Sequence, residues 1–220
     1  MQSVDQEKRA LRRLALAQRD GLAPEYRADR SAEICEQLKT ALDRMLSDGL
    51  CKAPVVAVYS AMGSEVDPAA FARYAEGRGA TVAFPCMLPK SGGATGIQHD
   101  EVSARRSAAS AQRMCMRAAS LNMAVKAPFI AHPTRPFAID DPKCARFPLV
   151  LPSEIDLIVV PLVAFDARAM RLGYGGGCYD RYLPELRPDC QVIGIAFNEQ
   201  RLARIPAGPH DRALPRTISA

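Results

Sequence analysis

Glu154-Ile155-Asp156-Leu157-Ile158-Val159-Val160-Pro161 is the stretch whose reading decides the fold. A near-continuous aliphatic run of this length fits a strand buried on both faces, as in parallel sheets covered by helices on each side. Pro54-Val55-Val56-Ala57-Val58-Tyr59 and Gln191-Val192-Ile193-Gly194-Ile195-Ala196-Phe197 repeat the pattern. After the first of these, Asp67-Pro68 opens a helix that Gly77 or Gly79 stops. Thr81-Val82-Ala83-Phe84 then predicts another strand, ended by Pro85. Strand, helix, strand is the order of a parallel sheet, so the fold class is α/β.

Towards the N-terminus two helices are expected. Ser3 and Gln6 are spaced as a capping box. The helix they open carries Leu11, Leu14 and Ala15 on one stripe and ends at Gly21. Lys8 and Arg12, four residues apart, share one of its faces. Pro24 suits the first turn of a second helix, with Ile34, Leu38, Leu42 and Met45 at helical spacing. In the middle, Lys90 to Gly96 reads as loop. Residues 100–120 read either as a helix of modest amphipathicity or as a flexible insertion. Residues 127–153 are proline-rich and expected to be mostly irregular, packed over the surface. The whole is read as one domain, 1–220, with an insertion-like segment at 91–122.

Composition narrows the function. With 220 residues and 48% hydrophobic residues the chain can bury a proper core. It has no apolar run of membrane-spanning length, and its N-terminus has no secretory pattern, which points to the cytoplasm. Seven cysteines, an odd number with no C-x-x-C pair, and only three histidines argue against a zinc site or a disulfide framework. The net charge of +5 is mild and spread out, and there is no Trp. That balance fits a small anionic ligand at least as well as nucleic acid.

The chemistry concentrates in Arg171-Leu172-Gly173-Tyr174-Gly175-Gly176-Gly177-Cys178-Tyr179-Asp180-Arg181. The segment follows a buried strand and precedes a helix, the carboxyl-end position where open sheets bind ligands. Four glycines in five residues let successive N–H groups turn inward as a nest for phosphate oxygens, with the helix N-terminus adding its dipole. It is neither a Walker A loop nor a dinucleotide fingerprint. Arg168, Arg171 and Arg181 surround it with guanidinium groups suited to phosphate. Asp180, among them, is read as a Mg²⁺ ligand, because a carboxylate beside bound phosphate needs an intervening cation.

Arg-Leu-Gly-x-Gly-x-Gly-x-Tyr-Asp-Arg at this place resembles the signature of the 5-formyltetrahydrofolate cyclo-ligase family. Lys8 to Arg12, Tyr59 to Glu65 and Pro161 to Asp166 agree in order and spacing. The resemblance covers residues 5–90 and 135–220. It implies a three-layer α/β/α fold with a mostly parallel central sheet, ATP and Mg²⁺ as cofactors, and 5-formyltetrahydrofolate as substrate. The implied reaction is ATP-dependent closure to 5,10-methenyltetrahydrofolate, through phosphorylation of the formyl oxygen. The resemblance gives Lys8, Arg12, Arg171, Gly173, Tyr174, Gly175, Gly176, Gly177, Cys178 and Tyr179 to ATP. It gives Ser60, Met62, Glu65 and Tyr174 to folate, Asp180 and Asp211 to the metal, and Arg171 and Tyr179 to catalysis. No nucleophilic Ser or Cys is required, so Cys178 is not expected to act as one. The partners are the small-molecule substrate alone, with no nucleic acid and no membrane, and the chain is read as a monomer.

Three departures accompany the resemblance. Cys178 stands where the family usually has Tyr. Ala138-Ile139-Asp140-Asp141-Pro142 replaces a Gly-Ile-x-Glu-Pro segment, and residues 91–122 lack the customary Trp. They leave open an alternative, an ATP-binding paralogue of the same fold with a different or lost substrate.

Overall fold

The computed structural model describes residues 4–49, 51–89, 113–120, 127–208 and 211–220. Ser3, the Lys90 to Gly96 loop, His210 and the rest of the 91–122 segment apart from residues 113–120 lie outside the described residues.

Two helices open the chain, α1 (Val4–Asp20) and α2 (Pro24–Ser47), the second with Pro24 in its first turn as expected. The sheet is built from β1 (Val55–Ala57), β2 (Thr81–Leu88), β3 (Arg113–Ala118), β4 (Leu149–Val150), β5 (Leu157–Pro161), β8 (Gln191–Ala196) and β9 (Arg216–Ser219). Their spatial order is β4-β3-β2-β1-β5-β8-β9. The pairs β2–β1, β1–β5, β5–β8 and β8–β9 are parallel, while β3 and β4 add an antiparallel edge. Helix α3 (Ala69–Gly77) makes the β1-to-β2 crossover. The Asp67 carboxylate accepts from the N–H of Ala69 at its start.

The period-2 alternation of the strands distributes their side chains between two cores. Val56, Val82, Leu157, Val159, Ile193 and Ile195 meet Ile34, Leu38, Leu42 and Met45 of α2 and Phe71 and Ala75 of α3 on one face. Ala57, Ala83, Ile158, Val160 and Ala196 meet Tyr182, Leu183 and Leu214 on the other. Helix layers on both faces of a mostly parallel sheet make the three-layer α/β/α fold expected.

Four local expectations are corrected. Residues 113–118 form β3, neither helix nor flexible insert. Met114 and Met116 turn to the second core while Cys115 lies against the first, the alternation of a strand. Pro85 does not end β2, which runs on to Leu88. The carbonyl of Ala83 points at β1 and accepts from Val58, so Pro85 faces the same side, beyond the last β1 pair. Its missing N–H therefore removes no ladder bond.

Residues 127–153 are not a surface wrap. They include α4 (Pro128–Ala131) and α5 (Pro142–Ala145) and bury Phe129, Phe137, Cys144 and Phe147 in the first core. Phe129 and Phe147 meet edge to face at 5.2 Å. Leu14 is 50% exposed and does not share the stripe of Ala15, which is fully buried.

Candidate active site

The chain leaves β1 towards β2 on one side and later adds β5, β8 and β9 on the other. The gap above the carboxyl ends of β1 and β5 is thus the switch point of the sheet, where crossovers part and a crevice opens. A cavity of about 810 Å³ lies there. Its walls come from α1, from the Tyr59 to Glu65 segment after β1, from Val160 and Pro161 at the end of β5, and from the glycine loop. All the residues the sequence reading gave to ATP, folate, metal and catalysis line it: Lys8, Arg12, Ser60, Met62, Glu65, Arg171, Gly173 to Asp180, and Asp211.

The glycine loop does not follow β5 directly. A two-stranded antiparallel ribbon, β6 (Ala164–Phe165) with β7 (Arg171–Leu172), intervenes and lifts the loop over the sheet. The turn of the ribbon is fastened by Asp166. Its buried carboxylate accepts from the N–H groups of Arg168, Met170 and Ile205, and from the Arg168 guanidinium. Burial alone would raise its pKa, but these donors outweigh it and hold the carboxyl below the usual range. Arg168 therefore braces the ribbon, and Arg181 folds back on the Gly176 carbonyl at 2.8 Å. Neither lines the cavity, so of the three arginines expected around the loop only Arg171 does.

Gly175 and Gly177 have φ of +98° and +63°. Glycine is required at these two positions because the turns would strain any residue with a Cβ. Arg12 lies across this loop, donating from Nε to the Gly173 carbonyl at 2.8 Å, with its guanidinium carbon 3.6 Å from where a Gly175 Cβ would stand. Helix α6 (Cys178–Tyr182), capped by Gly177, is only five residues long. A helix this short adds little dipole to the loop. Burial pushes the Cys178 thiol up, against the pull of Arg181, which keeps it protonated.

Two ion pairs stand at this end. Lys8, 8% exposed, forms an ion pair with Asp211, whose carboxylate also accepts from the Gly208 N–H. Burial would raise the Asp211 pKa, but Lys8, the Gly208 N–H and Arg171 bring it below the usual value. Arg171 pairs with Asp180 and donates to the Arg212 carbonyl at 2.9 Å. Asp180 is the more open of the two carboxylates, with its side chain 44% exposed.

The other end is drier. Glu65 is 6% exposed; its Oε2 accepts from the Met62 N–H at 2.8 Å, and its Oε1 has no partner. Burial pushes its pKa up, and the Met62 N–H, the Tyr174 hydroxyl and Arg19 only partly offset this. Tyr174 is in turn raised to about 12, by burial and by Glu65, so its hydroxyl keeps its proton. The sequence reading missed Arg19, which is 3% exposed and donates to Ser64 Oγ and to the Tyr174 hydroxyl, each at 2.9 Å. The signal was present: Lys8, Arg12, Ala15 and Arg19 follow one helical stripe. It also missed the apolar wall of Leu16, Met87, Met114 and Pro85. From Lys8 to Arg19 the helix rises roughly 16 Å, enough for two ligands to lie end to end along it.

The profile of the 5-formyltetrahydrofolate cyclo-ligase family matches residues 4–219. A 5-formyltetrahydrofolate cyclo-ligase of Mycolicibacterium smegmatis is 36% identical over 83 residues, 38% of this chain and 43% of that protein. Its Escherichia coli counterpart is 40% identical over 72 residues, 32% of this chain and 40% of the relative. The chain thus spans about two-fifths of the length of these relatives in each match. The fold is similar to that of a 5,10-methenyltetrahydrofolate synthetase from Mycoplasma pneumoniae, with a TM-score of 0.64 at 22% identity, covering 96% of this chain and 97% of that one. It is similar also to the Aquifex aeolicus protein of that name, with a TM-score of 0.62 at 22% identity, covering 96% and 89%.

Proposed function

The chain belongs to the 5-formyltetrahydrofolate cyclo-ligase family, and from that premise we propose that it uses ATP and Mg²⁺ to convert 5-formyltetrahydrofolate to 5,10-methenyltetrahydrofolate, releasing ADP and phosphate. The observation that carries the reading is the single cavity joining a cationic glycine cradle at one end to a buried, half-satisfied carboxylate at the other. A site for one ligand alone has no use for both ends.

The chemistry suits these groups. An N-formyl oxygen is a poor leaving group until it becomes a phosphate ester. The second folate nitrogen then attacks the activated carbon and phosphate departs. The protein has to align two ligands and neutralise charge. Lys8, Arg12 and Arg171 do so at the phosphates, with Arg171 exchanging Asp180 for a phosphate oxygen. The loop from Gly173 to Tyr179 supplies N–H donors and brings the Tyr179 ring against the reacting end. Glu65 accepts from pterin N–H groups, while Ser60, Met62 and Tyr174 flank the ring.

A divalent cation fits the donor set only as a shared site. Among the described residues no group of three or more His, Cys, Asp or Glu gathers to cage one. Asp180 and Asp211 supply the one or two carboxylates that Mg²⁺ usually takes, with phosphate and water completing its shell. When bound, such an ion screens the charge that builds on the phosphates. No helix among the described residues is long and apolar enough to cross a membrane, in keeping with the proposal of a cytoplasmic enzyme acting on a small molecule, which we take to work as a monomer.

The test is the absorbance of methenyltetrahydrofolate on mixing purified protein with 5-formyltetrahydrofolate and ATP, with and without Mg²⁺. A rise that needs both ATP and metal is expected. ATP binding by a folded protein with no rise overturns the folate assignment and leaves the paralogue reading.

A further inference from the structure

Arg19 and Glu65 line the same wall of the cavity, and each has one buried polar atom without a hydrogen-bond partner, Arg19 Nη1 and Glu65 Oε1. Leaving a buried polar atom unpaired costs about 1–3 kcal/mol. Two such atoms on one wall call for a ligand that satisfies them together. The rest of the cluster is committed. Arg19 Nε donates to Ser64 Oγ at 2.9 Å, and the Ser64 hydroxyl donates to Asp20. Arg19 Nη2 donates to the Tyr174 hydroxyl at 2.9 Å. Two fixed contacts hold the guanidinium plane rigid, so its third nitrogen has little freedom to find water or another partner.

A free cationic donor beside a free anionic acceptor is complementary to a ligand edge that shows a carbonyl oxygen next to an N–H. That is the edge of a cyclic amide. On the folate reading, it is the edge of the pterin ring formed by the 4-oxo group and the adjacent ring N–H. We propose that Arg19 takes the 4-oxo oxygen while Glu65 takes the neighbouring N–H, which makes Arg19 the residue by which the site selects 4-oxo over 4-amino pteridines. A 4-amino group turns a donor towards the guanidinium and leaves both unpaired, so rejection comes from the unsatisfied pair and not from size. The proposal rests on the folate reading of the same cavity.

The experiment compares, by calorimetry, binding of 5-formyltetrahydrofolate and of its 4-amino-4-deoxo counterpart to the wild-type chain and to Arg19→Gln and Arg19→Lys. ATP binding by each variant reports an intact fold. The wild type is expected to prefer the 4-oxo compound by about 100-fold. Glutamine can turn its carbonyl towards a 4-amino group, so Arg19→Gln is expected to compress that preference at least about tenfold. Lysine keeps the charge but cannot span Ser64, Tyr174 and the ligand at once, so Arg19→Lys compresses it less. Should Arg19→Gln not fold, the lysine variant carries the test. Equal weakening of both compounds, with the preference intact, overturns the proposal and reduces Arg19 to a support for Ser64 and Tyr174. If the wild type binds ATP but neither pteridine, the folate reading fails and the assignment of Arg19 falls with it.

Discussion

At the glycine-loop end of the cavity two carboxylates each have a cation, Asp211 with Lys8 and Asp180 with Arg171, and Asp180 stands nearly half open to water. At the Glu65 end, 16 Å or so along α1, the carboxylate and the guanidinium are both buried, and each still has an atom to spare. The first arrangement suits a ligand that arrives charged. It exchanges one ion pair for another, gains mostly by Coulomb attraction, and discriminates little by shape. The second suits a ligand that arrives with a particular pattern of donors and acceptors, because only the right pattern relieves the unpaired atoms. On the proposed reading, affinity for phosphate and selectivity for the ring belong to opposite ends of one helix.

The sharpest way to break this division is Glu65→Gln. It preserves size and an acceptor for the Met62 N–H but removes the charge. Hydrogen bonds to a charged group are worth about 1.5–3 kcal/mol, so folate affinity is expected to fall on the order of 100-fold by calorimetry, with ATP affinity unchanged. A matching loss of ATP affinity would mean that the two ends are not independent.

Acid provides a second probe at the same residue. Burial raises the Glu65 pKa above the ordinary glutamate value, so lowering pH protonates it earlier than a surface carboxylate. Folate affinity is expected to weaken as pH falls through that raised value, by at most about tenfold per unit, and the slope should vanish in Glu65→Gln. The free protein responds with the opposite sign. Burial disfavours the charged form, so the cost of ionised Glu65 is present above its raised pKa and is relieved as pH falls through it. A folate profile that breaks only where exposed carboxylates titrate would place the pterin contact elsewhere.

The glycine-loop end is probed by Gly175→Ala. At φ +98° an alanine is strained by about 1–3 kcal/mol, and its methyl group would stand 3.6 Å from the Arg12 guanidinium carbon, where a phosphate has to approach. ATP affinity is expected to drop about tenfold, by more than the loss in thermal stability accounts for, with folate affinity retained. Added salt should lower ATP affinity in the wild type and leave selectivity among pteridines untouched. Normal ATP binding by this variant would remove the cradle.

The two ends also differed in how much of them could be read without coordinates. Lys8, Arg12 and the glycine loop could be named because they fall in a family motif of fixed local spacing; helical spacing alone would leave Lys8 and Arg12 as one charged helix face. The buried aliphatic runs were visible because their pattern is local, and they carried the fold class. Arg19 was not, because an Arg-Asp pair in the last turn of a helix looks like a solvated end, and its burial depends on Ser64 and Tyr174, which lie 45 and 155 residues further along the chain. The strand at 113–118 was hidden by the arginines, serines and alanines of the wider 100–120 stretch. Only its pairing with β2 selects the alternation of Met114 and Met116 as the decisive pattern. Pro85 misled in the same way, since its place in the strand is harmless only because β1 has already ended.

The smallest expected effect bears on why Asp180 and Asp211 are both present. Each is ion-paired in the free protein, but Asp211 is held by Lys8 and by a backbone N–H, whereas Asp180 has one cation and a largely open side chain. Asp180 would hold a metal ion that enters with phosphate at the loss of a single guanidinium contact, and Arg171 would then be free to pair with the phosphate. Asp211 costs more to recruit, because Lys8 is buried beside it. Asp180→Asn retains the shape and a contact to Arg171 but loses the charge, so the Mg²⁺ concentration for half-maximal turnover is expected to rise about three- to tenfold, with folate affinity unchanged. The same rise in Asp211→Asn, with none in Asp180→Asn, would reverse the order of the two carboxylates and make Lys8 the group that yields.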